Sequence, residues 1–412
     1  MTKRFFTLLS LFCAIVSYGQ DQISSPYSYF GIGLPTFHGT AENHAMGGIS
    51  NYTDNYHFNI QNPASLGALR LTTFTVGASQ QSSKVDNGQN TESVKSSGFD
   101  YLAVAIPMGK LNFGFGVTPQ SSVGYKLENR TETALSRFEG NGGLSKVFLS
   151  FGYDLGKNFR IGLEGGYNFG KIKNKSILFQ DQVQYGSRET NRSDLGGFSY
   201  KFGAQYDLQL NKKTYLNLST AYSPKSSLTS ENERKLATLS INSSGIESII
   251  NQKDIDLQDT DFDLPEIFEA GIGIGEKEKW FIGAQYENIG EAAYTNTSFS
   301  VNKVKFERAN AYRVGGFFVP NPTSLNYLNR IVFRGGARFQ ETGLRINNET
   351  IDEFGISFGL GLPAGPYLSN INLGVEYGER GTTNSNLVKE NFVNIFVGIS
   401  LNDKWFKERK YN

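Results

Sequence analysis

The chain has 412 residues, with 40 Lys and Arg against 39 Asp and Glu, so its net charge gives no electrostatic basis for binding nucleic acid. Its single cysteine excludes a disulfide-stapled secreted module, because such folds need paired cysteines. The chain instead combines 46 Gly with 32 Phe and 21 Tyr, a composition that suits alternating strands with one apolar and one wet face.

The first nineteen residues have the parts of a secretory signal peptide. Basic residues 3–4 precede an apolar run at 5–16, and "SYG" at 17–19 supplies small residues for a cleavage site. The run is shorter than the ~20 residues that a membrane-spanning helix needs, which argues against that alternative. Cys13 lies inside this segment. We therefore expect residues 1–19 to be removed and an exported mature chain without a thiol.

Strict alternation of apolar and polar residues recurs along the rest of the chain. In "LNFGFGV" (111–117), and in "INLGVEYGE" (371–379) as far as Tyr377, every second residue is apolar and the others are Gly or polar. In "FVNIFVGISL" (392–401), Phe392 and Phe396 interrupt the polar row. A strand of this kind buries one face in an apolar phase and leaves the other wet or lightly packed.

Marking every such segment predicts an all-β chain of about fourteen strands and no helix that spans a membrane. The predicted strands cover residues 68–80, 98–107, 110–128, 133–155, 158–178, 194–210, 213–230, 258–276, 279–292, 303–320, 328–346, 351–363, 367–380 and 390–402.

The connections between these strands are of two kinds. Tight turns such as "PMGK", "LGKN", "LNKK", "EKEK" and "PAGP" follow even-numbered strands, whereas polar segments such as 81–97, 179–193 and 231–257 follow odd-numbered ones. Short turns on one rim and long loops on the other are typical of outer-membrane barrels of Gram-negative cells, with the turns periplasmic. An even strand number then places both termini on the periplasmic side. A soluble all-β protein would instead show polar residues on its outward face.

Residues 20–67 precede the first strand and show no alternation, but they are rich in Gly and turn formers. A fourteen-stranded barrel has a lumen wider than side chains alone can fill, since eight strands already reach that limit. We therefore expect this segment to enter from the periplasmic rim and plug the lumen as a hatch. The predicted organisation is a signal peptide, a hatch, a transmembrane antiparallel β-barrel and a basic, aromatic periplasmic tail, at residues 1–19, 20–67, 68–402 and 403–412.

Two short motifs lie within the predicted hatch. "AMGG" at 45–48 is followed by Asp54-Asn55 and then by "NPASL" at 62–66. This order resembles the amino-terminal hatch of the FadL family of outer-membrane transporters for hydrophobic compounds, in which a Met-Gly-Gly element precedes an Asn-Pro-Ala. The motif-level resemblance covers residues 26–80, and the strand number extends it to the rest of the chain. It implies hatch and gating positions at Gly47, Gly48, Asn62, Pro63 and Ala64.

The sequence also departs from the family pattern. Ser65 stands where the family usually has Gly, and Tyr56, His57 and Phe58 stand where it has small residues. These departures make conservation of the hatch fold a safer inference than conservation of the ligand.

The resemblance implies passive uptake of hydrophobic small molecules or fatty acids through a hatch-gated lumen, and the residues themselves lead us to expect no enzyme activity. Aromatic-rich strands such as "FGISFGL" (354–360) and "RVGGFFV" (313–319) would then build an apolar pocket. The alternative is a FadL-like structural or adaptor barrel that partners other outer-membrane proteins, as PorV does in type IX secretion. The bulky hatch residues, the basic tail and the long loops favour that alternative. Membrane lipid and lipopolysaccharide are expected partners in both cases, and nucleic acid in neither.

We predict no catalytic residue, metal site or cofactor. His38, His44 and His57 all lie in the hatch, so no barrel strand carries a histidine base. Their spacing matches no standard ligand pattern, which favours ordinary polar residues over a metal site or a proton-sensitive gate. "DIDLQDTDFD" (254–263) has five aspartates but lacks the Gly and Glu of a calcium-binding loop, so we expect a solvated face there.

Overall fold

The computed structural model describes residues 23–241, 247–291, 304–364 and 369–405. The predicted signal peptide and residues 406–412 of the predicted tail lie outside the described residues. The described strands are β1 (Leu34–Pro35), β2 (Thr72–Asp86), β3 (Thr91–Met108), β4 (Leu111–Arg130), β5 (Ala134–Gly156), β6 (Phe159–Gln180), β7 (Gly186–Gln209), β8 (Thr214–Ser223), β9 (Ser226–Ile241), β10 (Glu247–Asp256), β11 (Thr260–Leu264), β12 (Ile267–Glu276), β13 (Trp280–Ile289), β14 (Val304–Phe306), β15 (Ala309–Phe318), β16 (Val332–Ile346), β17 (Glu349–Pro363), β18 (Asn370–Gly381) and β19 (Lys389–Asp403).

The sheet closes into a barrel because β19 pairs with β2, from Lys389 opposite Asp86 to Asp403 opposite Thr72. Three strands of the wall are interrupted. The first consists of β8 and β9, the second of β10, β11 and β12, and the third of β14 and β15. The wall is therefore a closed antiparallel barrel of fourteen strands, which confirms the predicted fold. Within the described ranges, no helix combines the length and the apolar character that crossing a bilayer would need.

The apolar and polar rows of side chains on the alternating strands face the directions that a bilayer requires. On β18, Leu373 and Val375 point outward and are each 41% exposed, whereas Asn372 and Glu376 point into the lumen and are each 2% exposed. The outward apolar row meets lipid and the inward polar row meets the contents of the barrel. A soluble barrel would reverse this arrangement.

The barrel has a short-turn end and a long-hairpin end. At the long-hairpin end one side stands much higher than the other, because β5 and β6 contain 23 and 22 residues. On the opposite side β13 and β15 contain 10 residues each, close to the ~9–11 that cross a bilayer. We call β4 to β7 together with β9 and β10 the tall wall.

Three segments that we predicted as long polar loops are mainly strands, so that part of the prediction is wrong. Residues 81–97 belong to the β2–β3 hairpin, 179–193 to the β6–β7 hairpin and 231–257 to the β9–β10 hairpin. Beyond the lipid both faces of a strand meet water, so its sequence loses the apolar alternation on which the prediction depended.

Residues 23–69 lie inside the barrel and are called the luminal segment below. Its short elements are a 3₁₀ turn at Pro26–Tyr29, β1, a helical turn α1 (Ala41–His44) and a 3₁₀ helix at Pro63–Ala68. β1 pairs with β4, with Leu34 opposite Ser122. Most of the segment is buried between the lumen-facing side chains of the wall.

The luminal segment runs from the long-hairpin end to the short-turn end. Ser25 Oγ donates to Glu390 at 2.5 Å, beside the β18–β19 connection, and Arg70 pairs with Asp154 at 2.9 Å, beside the β5–β6 turn. The first described residues therefore lie at the long-hairpin end, whereas we expected the hatch to enter at the short-turn rim. Asp403, near the end of the chain, does lie at the short-turn rim. An even strand number places the start of the first wall strand and the end of the last one at the same rim. It does not fix where a segment that precedes the first strand begins, because such a segment can be long enough to cross the lumen.

Candidate functional site

Gly47 and Gly48 carry the luminal segment past the barrel wall. Their φ angles are 68° and 84°, in the left-handed region that favours glycine. A Cβ on Gly47 would lie 2.8 Å from backbone atoms of Val314 and Ala337, so a side chain here would collide with the wall. The Gly47 N–H also donates to Ser357 Oγ at 3.0 Å. These contacts attach the glycine pair to β15, β16 and β17, and its gating role stays a prediction.

Asn62, Pro63 and Ala64 begin the 3₁₀ helix that ends the luminal segment. Pro63 occupies the start of the helix, where a missing N–H leaves no bond unmade. Asn62 Oδ1 accepts from the Ala64 N–H at 3.0 Å, and Asn62 Nδ2 donates to the Thr220 carbonyl of β8 at 3.2 Å. Because Asn62 is 1% exposed, both bonds are removed from water. This turn therefore fastens the end of the segment to the wall.

Lumen-facing ion pairs between β5 and β19 connect strands that are neighbours or are separated by one strand. We call these eleven side chains the charge belt, and most of them are buried. A buried charge is costly unless it is paired, so the pairing keeps the belt in one arrangement. The pairs are Lys146–Glu164 (2.6 Å), Lys201–Glu269 (2.6 Å), Arg313–Glu287 (2.5 Å), Arg338–Glu376 (2.6 Å), Arg338–Glu353, Arg380–Glu353 (2.5 Å) and Arg380–Glu390 (3.0 Å).

The helical turn α1 ties the luminal segment to the charge belt. His44 Nε2 lies 2.8 Å from Glu376 Oε2, and the His44 ring stacks on Phe396 with ring centroids 4.1 Å apart. Glu42 Oε1 accepts from Asn372 Nδ2 at 2.7 Å. Two buried polar side chains of one helical turn thus bond to β18, so displacing the turn would leave both without partners.

A second set of polar contacts holds the stretch around residues 56–58, whose bulky side chains depart from the family pattern. The Tyr56 and His57 N–H groups donate to Asp54 Oδ1 at 2.8 and 2.7 Å, and the His57 ring contacts the same carboxylate. Burial acts to raise the pKa of Asp54, but the charge of His57 and these hydrogen bonds outweigh it and hold that pKa below its usual value. This stretch is therefore held in shape by its own contacts.

A cavity of about 310 Å³ lies on the long-hairpin side of the luminal segment. Its wall includes charge-belt members such as Lys146 and Arg338 and the aromatic rings of Phe37, Phe99 and Phe392. The cavity therefore combines charged, polar and aromatic surface.

The predicted aromatic strands contribute little to this cavity. Phe354 and Phe358 face outward and are 38% and 61% exposed, so "FGISFGL" supplies lipid-facing rings. Of the "RVGGFFV" rings, Phe318 also faces outward, while Phe317 packs in a buried cluster with Tyr52 of the luminal segment. The expectation that these strands build an apolar pocket is therefore wrong, because an aromatic ring fits either face of a barrel strand.

Sequence reasoning missed the charge belt. The alternation in "INLGVEYGE" places Glu376 on the wet face of the strand, and Arg380 is the residue directly after this stretch. The available signal was a charged residue on the lumen row near the middle of a strand. Its ion-pair partners, however, lie on other strands, and their register cannot be read from one sequence.

The acidic stretch at 254–263 falls on β10 and β11. Asp263 pairs with Lys225 at 2.8 Å, and Asp254 lies 3.8 Å from Lys235. In the part of the chain that the structure describes, no three His, Cys, Asp or Glu side chains are grouped to hold a metal ion. At the other end of the barrel, Trp405 is 53% exposed at the start of the predicted tail.

Comparison with solved structures places this barrel among FadL-like folds, which confirms the resemblance read from the motifs. The monoaromatic hydrocarbon channel CymD aligns with a TM-score of 0.60 at 13% identity, over 90% of this chain and 98% of that one. The toluene transporter TodX of Pseudomonas putida aligns with a TM-score of 0.59 at 16% identity, over 90% and 100%. A Pseudomonas aeruginosa FadL homologue aligns with a TM-score of 0.55 at 11% identity, over 90% and 98%. At these identities the likeness concerns the fold alone.

The sequence comparisons give a complementary result. No curated protein matches the chain significantly. One protein-family model, described as BamG, matches residues 1–412.

Proposed function

The chain belongs to the BamG family, and we propose that it is an outer-membrane barrel with a fixed, closed lumen that acts by docking other outer-membrane proteins. The observation that carries this proposal is the attachment of the luminal segment to the wall through buried charges. In this proposal the short-turn end faces the periplasm, and Gly47, Gly48 and residues 62–64 are anchoring positions.

The energetics of the attachment argue against a gate. Leaving a buried polar group without its hydrogen-bond partner costs roughly 1–3 kcal/mol, and more when the group is charged. Moving α1 would separate His44 from Glu376 and Glu42 from Asn372 together. A ligand with a Kd of about 1 μM supplies only ~8 kcal/mol in total, so little would remain for its own affinity after it had displaced the segment.

The tall wall offers a surface for docking. On β6 the outward apolar residues end at Phe169, and the next outward positions are Lys171 and Lys173, suited to lipid headgroups. The rest of the wall stands clear of the hydrocarbon. Its outermost strand, β10, is exposed along almost its whole length, with Ile249 and Ile250 at 50% and 51%. A passive channel has no need of such an extension, whereas a docking protein does.

A purification from native membranes in mild detergent tests the proposal. The wild-type protein should co-purify with a stoichiometric membrane-protein partner, and Ile249→Asp with Ile250→Asp should release it. Leu325→Asp is the matched control, because Leu325 is fully exposed at the short-turn end, away from β10. Recovery of the wild-type protein as a monomer alone would contradict the docking role.

Passive uptake of hydrophobic small molecules is the second candidate. It is favoured by the cavity of about 310 Å³ and by the fold shared with proteins described as monoaromatic hydrocarbon and toluene channels. The charged cavity wall argues against it, because a neutral hydrocarbon would meet charges already paired with one another. Equilibrium binding of toluene, alkyl aromatics and long-chain fatty acids decides the matter, since the absence of affinity across this panel eliminates the candidate.

A further inference from the structure

The wall of the cavity contains buried polar atoms without hydrogen-bond partners among the described residues. They belong to two parts of the luminal segment and to β19, and they are Thr36 Oγ1, His38 Nδ1, Gln61 Oε1 and Asn394 Oδ1. Folded proteins rarely leave such atoms unpaired, so a polar occupant would suit the wall to which these four residues belong. Gln61 and Asn394 each present an amide oxygen, which accepts hydrogen bonds from a donor.

Asp100 adds a carboxylate to the same wall, and a β-bulge places it there. The ladder between β2 and β3 pairs Gly77 with Tyr101 and Ala78 with Phe99, so Asp100 is the extra residue between them. A bulge of this kind re-aims a side chain and is common beside functional sites. Asp100 Oδ1 accepts from Ser79 Oγ at 2.7 Å, and it forms no ion pair with a residue in the described ranges.

The other charges on the cavity wall are already balanced. Each cation on the wall pairs with a glutamate, and each glutamate pairs with a cation. Asp100 is thus the one carboxylate among the described lining residues that forms no ion pair. The lining cations are Lys146, Lys201, Arg313, Arg338 and Arg380, and the lining carboxylates are Asp100, Glu164, Glu269, Glu287, Glu307, Glu353 and Glu376.

The surroundings of Asp100 favour an organic cation over a metal ion. Phe37, Phe99 and Phe392 line the same cavity, and aromatic faces attract ammonium groups. A hard metal ion would need several oxygen ligands, but among the described lining residues only Asp100 is a carboxylate outside an ion pair. A cavity of about 310 Å³ is at the small end of the range for ligand pockets, so it suits a compact molecule.

We propose that this cavity binds a small protonated organic amine with an apolar body. The Asp100 carboxylate is its counter-ion, and the amides of Gln61 and Asn394, once their side chains turn towards the ligand, are further acceptors for the N–H groups of an ammonium, which donates three hydrogen bonds and accepts none. The aromatic side chains hold the body. Binding needs no movement of the luminal segment, so this site and the proposed docking role can fail independently.

A head-group series tests the proposal directly. The mature protein in lipid nanodiscs is titrated calorimetrically at pH 7.5 with 2-phenylethylammonium, 2-phenylethanol and 3-phenylpropionate, which share one ring and differ in the charge of the head group. The amine should bind at least tenfold more tightly than the alcohol and the acid. Equal affinities, or no binding of the amine, would overturn the proposal.

Asp100→Asn isolates the role of the counter-ion. This variant should lose amine affinity by a factor of ten or more, while the weak binding of 2-phenylethanol stays unchanged. Asp181→Asn is the matched control, because Asp181 is exposed in the β6–β7 turn, far from the cavity. Asn394→Leu removes an acceptor and should weaken amine binding severalfold. Heat-modifiable migration in gels confirms that each variant folds, and wild-type amine affinity in both Asp100→Asn and Asn394→Leu would overturn the proposal.

Discussion

Ion pairs inside the lumen and ion pairs on the tall wall have similar geometry but different surroundings. Arg338 lies 2.6 Å from Glu376 inside the barrel, and the Glu376 side chain is 3% exposed. Arg137 lies 2.9 Å from Glu128 on the tall wall, but these side chains are 38% and 50% exposed. Water screens the exposed pair, whereas breaking the buried pair isolates a charge. The comparison teaches that the loss of a charge should cost more stability in the lumen than on the tall wall.

Glu376→Gln gives the largest expected effect. His44 would lose its carboxylate partner and Arg338 would keep only Glu353, so the free energy of unfolding should fall by about 3–5 kcal/mol. Urea unfolding in lipid vesicles, followed by heat-modifiable migration, measures the change. Glu128→Gln is the exposed counterpart and should cost about 1 kcal/mol or less. Equal losses in the two variants would contradict the comparison.

Gly47→Ala tests the close approach of the luminal segment to the wall. The substitution combines a left-handed backbone with a collision against β15 and β16, so it should cost about 2–4 kcal/mol of unfolding free energy. Gly88→Ala is the control, because Gly88 also has a positive φ, 83°, but has open space around a Cβ. Urea unfolding of both variants separates the collision from the backbone strain, and identical costs would refute the close approach.

Asn62→Ala should have a smaller effect, of about 1–2 kcal/mol, because it removes the buried helix cap and the bond to Thr220. The chain offers a matched exposed cap. Asn326 Oδ1 accepts from the Leu328 N–H at 3.1 Å at the start of a 3₁₀ helix whose residues are not buried. Asn326→Ala should therefore change the unfolding midpoint less. A larger loss at Asn326 would show that Asn62 does not fasten the segment.

The smallest expected effect is on pH dependence. Removal from bulk water lowers the pKa of His38 to about 4, and Lys146 and Lys201 add to this shift. The unfolded chain, with a histidine pKa near ~6.5, therefore takes up this proton first, so stability should fall as the pH drops from about 6.5 towards 4. His38→Gln should reduce the stability loss between pH 7.5 and 5.5 by about 1 kcal/mol. Unchanged pH profiles would contradict the burial of the neutral ring.

Much of the barrel could be predicted from the sequence, because a strand in a bilayer must alternate. Residues 371–379 alternate in this way, and the structure gives them the expected outward and inward faces. Segments 81–97 and 231–257 do not, since water on both faces removes the constraint that makes a strand recognisable. The same physical boundary therefore explains why the membrane-spanning part was found and the tall wall was missed.

The candidate site could be predicted only in part. Gly47 and Pro63 have conformational requirements that a single sequence reveals, so they could be named as special positions. His44 and Glu376 are 332 positions apart, and no local pattern relates them. The β-bulge at Asp100 cannot be recognised from the sequence either, because it depends on how β3 pairs with β2. Contacts between distant strands are a property of register, which motif reading does not supply.

Conductance in planar lipid bilayers tests the central claim, that the luminal segment closes the barrel and stays in place, most directly. The intact mature protein should remain electrically silent between pH 5.5 and 7.5, and a variant that lacks residues 20–65 should insert and form a steadily open pore. Spontaneous openings of the intact protein, or equal conductance of the two proteins, would contradict the account.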